Sequence, residues 1–247
     1  MTDRLVMWDF DGTLAFRPGL WSGCIMEVLE AHDPAHGVLR DQVRAGLKGG
    51  FPWHRADQPH PHPGDARRWW ATVEALIAEA LARAGIERAA CPELARAVHA
   101  RFIDPAVGWQ RFEDSLPALS ALSEAGWTNT IVSNHVPELA DIVLGVGLQE
   151  HVDRVFSSAL VGFDKPNPAF FRHVLEIYED PEQVWMVGDN PVADIAGAEA
   201  VGHPAILVRT AASDVRHAAP GLREAAEIIL TSSQPARIAR SARAADR

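Results

Sequence analysis

Short apolar runs that end in polar residues divide most of this chain into strand-like and helix-like segments. The first run, RLVMWD over residues 4–9, closes on acidic residues before Gly12, and it predicts a buried strand that ends in a turn. After Phe112, strand-length and helix-length segments alternate, which predicts a parallel sheet with helices on both faces. The pattern places strands at about 128–133, 154–157, 183–187 and 205–208, and helices at about 115–125, 137–144, 168–178 and 192–200.

The region from Phe16 to Arg111 has a different pattern, with helix-like segments and no comparable strand. We therefore predict an α/β fold in which residues 1–15 and 112–230 form a doubly wound parallel-sheet core. Residues 16–111 form an inserted all-helical cap, and residues 231–247 form a flexible tail. Ligands of open α/β sheets bind outside the carboxyl ends of the strands, where this insertion begins, so we expect it to cover the site.

Composition narrows the classes of partner. A chain of 247 residues with 47% hydrophobic residues can form one large and one smaller core, and its formal net charge is -10. That charge argues against nucleic acid or an anionic membrane and favours a small molecule. Cys24 and Cys91 are sparse and lack metal-ligand spacing, which indicates buried, inert thiols in a reducing compartment. With no membrane-length apolar run and no signal peptide, we expect a cytoplasmic protein.

Two aspartates follow the first predicted strand. Asp9 and Asp11 are separated by one residue, so an extended backbone directs both carboxylates to the same side. Gly12 permits a sharp turn, and Thr13 adds a hydroxyl and an amide nearby. An acidic turn after a strand is common, so this motif alone leaves a purely structural role open.

A second pair of acids ends another apolar strand. Asp189 follows Gly188, and Asp194 comes five residues later. Carboxylates gathered at one sheet edge repel one another unless a cation compensates, and Mg²⁺ suits such oxygen ligands together with a phosphate. Taken alone, the segment is equally typical of a Gly-Asp turn.

Two more strand ends supply groups that can hold a phosphate. Ser133 and Asn134 follow the strand TNTIVS and offer a hydroxyl and backbone amides. Lys165 lies among prolines in DKPNP, and Lys48 is the only other lysine beside 21 arginines. A buried ammonium there could neutralise both a phosphate and a carboxylate, although most lysines are solvated.

These motifs occur in order at the ends of successive strands, and together the sequence closely resembles the haloacid dehalogenase superfamily of hydrolases. The resemblance implies a Rossmann-like core and a helical cap of that family's first type, as in phosphoglycolate phosphatase-like members. Where relatives often carry Asp-Ser after the first signature, this chain has Ala15 and Phe16, so the resemblance names no particular substrate. The four signatures of the family match Asp9 with Asp11, then Ser133, then Lys165, then Asp189 with Asp194.

The resemblance also implies a mechanism. Asp9 would attack phosphorus and become an aspartyl phosphate, while Asp11 would protonate the leaving alcohol and then activate water. Ser133 and Lys165 would stabilise the transferred phosphoryl group.

The cofactor implied is Mg²⁺. It would be held by the Asp9 and Asp189 side chains and the Asp11 backbone carbonyl, with Asp194 in support. A small phosphorylated metabolite is then the expected substrate. The oligomeric state, monomer or homodimer, stays open.

Other reactions of the superfamily remain as alternatives. Dehalogenases attack carbon, need no metal and lack the aspartate that stands here as Asp11. Phosphonate hydrolases replace the same aspartate and use a cap lysine, for which Lys48 is the candidate. Hexose phosphate mutases keep both aspartates, so the signatures do not exclude them. A non-catalytic binding module would not require every chemical position to be intact.

Substrate selectivity is expected to come from the cap. The segment 49–65, here called the cap loop, is irregular and proline-rich. Trp53, His54 and Arg55 are our candidate substrate contacts, although Trp53 could instead anchor a surface loop. His60 and His62 lack neighbouring carboxylates in the sequence, which favours solvated side chains over a second metal site.

Three further aromatic or imidazole side chains require assignment. Trp69 and Trp70 open a long apolar helix and are expected to pack inside the cap. His135 follows Asn134, and its position is compatible either with an approach to the substrate or with helix entry.

Overall fold

The computed structural model describes residues 2–211 and 214–232. Its sheets are formed by short strands, and the bounds of the five longest agree closely with the apolar runs of the sequence. The strands are β1 (Arg4–Trp8), β2 (Ala15–Phe16), β3 (Gln110–Arg111), β4 (Thr128–Ser133), β5 (Arg154–Ser157), β6 (Gln183–Gly188), β7 (Ala205–Val208) and β8 (Ala218–Ala219).

Six of these strands form one parallel sheet in the order β5-β4-β1-β6-β7-β8. The register pairs Trp8 of β1 with Ile131 of β4 and with Val187 of β6, so the carboxyl ends of the three central strands are nearly level. This alignment brings the residues that follow the three strands to one edge of the sheet.

Helices cover both faces of this sheet and form the insertion after β2. Among residues 2–211 and 214–232 they are α1 (Leu20–His32), α2 (Arg40–Gly46), α3 (Ala66–Arg83), α4 (Cys91–Ile103), α5 (Ser115–Glu124), α6 (Leu139–Gly145), α7 (Ser158–Val161), α8 (Pro168–Ile177), α9 (Gly197–Ala200) and α10 (Leu222–Thr231).

Strand β1 shows why the sheet is buried on both sides. Its side chains alternate, so Leu5 and Met7 join one hydrophobic cluster while Val6 and Trp8 join the other. All four are fully buried. A continuous apolar strand of this kind is typical of a parallel sheet between two helical layers, and the predicted α/β fold is confirmed.

Some local predictions were wrong. The insertion was expected to contain no strand, yet β2 pairs antiparallel with β3, Phe16 opposite Gln110, at the point where the chain enters and leaves the insertion. The helix expected at 192–200 is divided into a π-helical segment, Pro191–Ala196, and α9. The helix α10 was not predicted.

The four longest elements of the insertion are α1 to α4, in agreement with the helix-like segments of the sequence. Trp69 and Trp70 are buried as expected, and Cys24 and Cys91 are free, buried thiols. The exact domain boundaries stay a prediction. From residue 233 onward, the predicted tail lies outside the described residues.

No helix in the described ranges combines the length and the apolar character needed to cross a membrane.

Candidate active site

Asp9 lies at the centre of the sheet edge, directly after β1. Its Oδ1 atom accepts a hydrogen bond of 2.8 Å from the hydroxyl of Ser133, the last residue of β4. The same atom accepts a second hydrogen bond, also of 2.8 Å, from Nζ of Lys165. These contacts depend on the parallel register of the sheet, because Ser133 lies 124 positions and Lys165 lies 156 positions from Asp9 in the sequence.

Lys165 is a buried cation between two carboxylates. Besides Asp9, its ammonium donates to Oδ1 of Asp194 at 2.6 Å. Burial alone would lower the pKa of Lys165, but the charges of Asp194 and Asp9 outweigh it and raise the pKa above the ordinary lysine value. The side chain is therefore a fixed positive charge at neutral pH.

The side chain of Asn134 holds the backbone of Lys165 in place. Its side-chain oxygen accepts from the Lys165 amide at 2.7 Å, and its side-chain nitrogen donates to the Lys165 carbonyl at 2.8 Å. This two-way contact connects the ends of β4 and of the segment before α8. The backbone of Lys165 is thus held by the side chain of the residue that follows β4.

Acidic side chains surround the same point. Carboxylate oxygens of Asp9, Asp189 and Asp194 lie within 4.8 Å of one another. Burial and then the charge of Asp9 raise the pKa of Asp189 to about 6. Burial, followed by the charges of Asp9 and Asp189, raises the pKa of Asp11 well above its usual range. The negative charge of this cluster therefore exceeds what Lys165 alone offsets.

Two glycines provide the space for these carboxylates. Gly12 has φ of +86°, and a Cβ atom there would collide with the carboxylate of Asp189. A Cβ atom at Gly188 would likewise collide with the side chain of Asp194. The glycines of the two strand-end turns thus permit the close approach of the acids.

A cavity of about 490 Å³ opens from this cluster toward the insertion. Its core half contains Asp9, Asp11, Ser133, Lys165 and Asp189. Its volume is in the range of small-molecule sites. The cavity therefore joins a charged end to a wall contributed by helices of the insertion and by the cap loop.

The comparison with family models agrees with this geometry. The model for haloacid dehalogenase-like hydrolases matches residues 4–202, which includes every element of the charged cluster. The chain belongs to the haloacid dehalogenase-like hydrolase family. It is an enzyme of the hydrolase class, and the predicted superfamily is confirmed.

Individual relatives cover most of this hydrolase. The mouse haloacid dehalogenase-like hydrolase domain-containing protein 3 is 31% identical over 216 residues, 83% of this chain and 81% of the mouse protein. The phosphoserine phosphatase of Thermus thermophilus is 33% identical over 153 residues, 61% of this chain and 60% of that enzyme. The HAD hydrolase YfnB of Bacillus subtilis, solved bound to magnesium, matches 93% of this chain and 100% of its own with a TM-score of 0.71. At 18% identity, YfnB indicates the shared fold alone.

Not every candidate residue of the hydrolase lies at the cavity. Asn134, Trp53 and His54 line it, but Arg55 lines a different cavity. Thr13 is fully buried, and within the described ranges its hydroxyl has no hydrogen-bond partner. Neither Arg55 nor Thr13 is among the lining residues of the central cavity.

His60 was expected to be solvated, and that prediction was wrong. Its Nε2 atom lies 2.6 Å from Oδ2 of Asp164, and both side chains are buried. The partner carboxylate is 104 residues away in the sequence, so no local signal could identify it. His62, by contrast, is exposed and contacts Arg68.

The sequence left the role of His135 open and did not identify Trp21 as a residue of the site. His135 is buried among Phe10, Phe102 and Trp109, and burial lowers its pKa to about 3. Trp21 lines the cavity from the start of α1. Its place in the first turn of α1, the first helix after the first signature, is the signal that could have found it.

Proposed function

We propose that this hydrolase is a magnesium-dependent phosphatase that cleaves a small phosphorylated metabolite through an aspartyl phosphate on Asp9. The observation that carries the proposal is the environment of Asp9, whose Oδ1 accepts from both Ser133 and Lys165. Within the described ranges no hydrogen bond reaches Oδ2. One oxygen is therefore held while the other is available to attack phosphorus.

The first step forms a bond between Asp9 Oδ2 and phosphorus and breaks the bond from phosphorus to the ester oxygen. Asp11 donates a proton to that leaving oxygen, a role favoured by the raised pKa of its carboxyl group. Lys165 and Ser133 stabilise negative charge on the transferring group. In the second step the Asp11 carboxylate takes a proton from water, whose oxygen bonds to phosphorus and releases phosphate and Asp9.

The acidic cluster fits Mg²⁺. Its donors are hard oxygen ligands in close proximity, and the raised pKa of Asp189 reflects burial and repulsion that a divalent cation would relieve. Asp9, the backbone carbonyl of Asp11 and Asp189 would hold the ion, with Asp194 in support. When bound, Mg²⁺ supplies positive charge that offsets the charge of the phosphate and the carboxylates.

The named relatives support the same reaction class. The Thermus relative is a phosphoserine phosphatase. A small substrate agrees with the volume of the cavity. Two free, buried thiols support the expected cytoplasmic location.

The direct test is an assay of phosphate release from p-nitrophenyl phosphate with Mg²⁺ or with EDTA, using the wild-type protein and the Asp9→Asn variant. We expect release only from the wild-type protein with Mg²⁺. Acid quenching during turnover, followed by mass spectrometry, should find one phosphoryl group on the peptide that contains Asp9. A folded protein inactive on this ester and on a panel of phosphometabolites would overturn the proposal.

The same preparation separates the alternatives. Halide release from a 2-haloacid, without Mg²⁺ and dependent on Asp9, would identify a dehalogenase. Conversion of a hexose phosphate to its isomer without release of phosphate would identify a mutase.

A further inference from the structure

The two halves of the central cavity differ in chemistry. The core half carries Asp9, Asp11, Lys165 and Asp189, whereas the cap half presents mainly aromatic and aliphatic side chains. A substrate that spans the cavity therefore has its phosphate at one end and its leaving group against an apolar wall. The side chains of that wall therefore indicate which chemical class of leaving group fits the cavity.

Two part-exposed indoles belong to this wall, and each stacks on a buried phenyl ring. Trp21 stacks on Phe102 with ring centroids 3.9 Å apart and an interplanar angle of 5°. Trp53 stacks on Phe51 at 4.5 Å and 10°. Phe51 and Phe102 are 3% and 2% exposed, so they support the indoles from the protein interior. The indoles thus form a preorganised aromatic surface.

The cap offers few polar groups to the same space. Arg44 is the only Lys, Arg, Asp or Glu, and His54 the only histidine, that the cap contributes to the described lining. The hydroxyl of Ser22 already donates to the Gly19 carbonyl at 2.9 Å and accepts from Arg40 at 3.1 Å. A polyol or zwitterionic leaving group would lose hydrogen bonds to water here without equivalent replacements.

We propose that the leaving group carries a planar aromatic ring that packs against Trp21 and Trp53. The inference depends on the proposed phosphatase function and names its substrate class, aryl or arylalkyl phosphate monoesters. The indole centroids are 6.4 Å apart, and a ring sandwiched between them would need two contacts of about 3.5 Å each. The substrate ring therefore packs alongside the pair and not between its members.

Three primary-alcohol esters test the proposal with little difference in leaving-group chemistry: benzyl, cyclohexylmethyl and ethyl phosphate. We expect kcat/KM for benzyl phosphate to exceed that for ethyl phosphate about tenfold, through the added ring contact. It should exceed that for cyclohexylmethyl phosphate about threefold, because the saturated ring fills similar volume without aromatic stacking. Equal values for the three esters would overturn the inference and leave the phosphatase function standing.

Variants of Trp53 separate recognition from a general structural effect. Trp53→Leu should remove most of the preference for benzyl over ethyl phosphate, whereas Trp53→Phe should retain much of it. Trp127→Leu is the matched control, because this indole precedes β4 at the opposite sheet edge and is not in the cavity lining. A Trp53→Leu variant that loses activity equally on all esters would contradict the proposed contact.

A binding measurement makes the inference testable apart from turnover. Calorimetry with Mg²⁺ should show benzylphosphonate binding about tenfold more tightly than ethylphosphonate, with the difference lost in Trp53→Leu. Equal affinities would overturn the aromatic site. A preference for benzylphosphonate in a protein that hydrolyses no ester would support the site while overturning the phosphatase function.

Discussion

His60 of the cap loop and Asp164 of the core form a buried contact, with Nε2 and Oδ2 2.6 Å apart. The His60 amide also donates to the Gly162 carbonyl at 2.8 Å, and the Asn167 side chain donates to the Ala56 carbonyl at 3.0 Å. Because Asp164 directly precedes Lys165, these contacts attach the cap loop to the segment that carries Lys165.

Replacing His60 by Ala should lower the free energy of unfolding by about 3 kcal/mol. Asp164 is fully buried, and the change leaves its carboxylate without the imidazole. Urea denaturation measures the difference. His62→Ala is the matched control, because His62 is exposed and should change stability by less than about 0.5 kcal/mol. Identical unfolding curves for His60→Ala and the wild-type protein would contradict the importance of this contact.

Replacing Lys165 by Met should lower kcat about 100- to 1,000-fold, because it removes the ammonium that contacts Asp9 and would stabilise the transferring phosphoryl group. Lys165→Arg should not restore activity, since a planar guanidinium cannot take the place of a compact ammonium between two carboxylates. Steady-state assays at saturating Mg²⁺ test both variants. Lys48→Met, at the only other lysine and on the surface, should keep wild-type kcat.

Asp189→Asn should have opposite effects on the metal-free and metal-bound protein. Without Mg²⁺ the change removes a carboxylate whose charged form is disfavoured by burial and by Asp9, so the melting temperature should rise. With Mg²⁺ the wild-type protein should gain stability through binding, and the variant should gain much less.

Thermal melts with EDTA and across a Mg²⁺ titration test these opposite effects on the melting temperature. Asp57→Asn, which changes an exposed carboxylate of the cap loop, should leave both melting temperatures unchanged. Equal Mg²⁺ stabilisation of wild-type protein and Asp189→Asn would remove Asp189 from the proposed ligands.

His135 should make the stability of the protein depend on pH. Burial lowers its pKa from 6.5 to about 3, so between these values the unfolded chain binds a proton that the folded protein does not. The contribution of neutral His135 to the free energy of unfolding is fully present above pH 6.5 and is lost as the pH falls toward 3. Between pH 7.5 and 5 the loss should be about 2 kcal/mol.

Comparison with His135→Leu isolates this effect from the aspartates. The wild-type protein should lose about 2 kcal/mol relative to the variant between pH 7.5 and 5 in urea denaturation. His32→Gln, at an exposed histidine, should follow the wild-type curve. A constant difference between wild type and His135→Leu would contradict the lowered pKa.

The sequence by itself determined the α/β core and the positions of the chemical groups along it. Each apolar strand ends in polar residues, and parallel strands bring their carboxyl ends to one edge. Asp9, Ser133 and Asp189 could therefore be predicted to lie near one another. This works because strand patterning is local and the right-handed crossover rule limits the arrangements available to successive strands.

Only the tertiary structure decided which cap residues reach the site. It separates Trp53, which lines the central cavity, from Arg55, which lines another, although they are only two positions apart in the sequence. It also gives His60 a buried partner 104 residues away. These outcomes depend on the path of an irregular loop and on long-range packing, and neither leaves a periodic signal in the sequence.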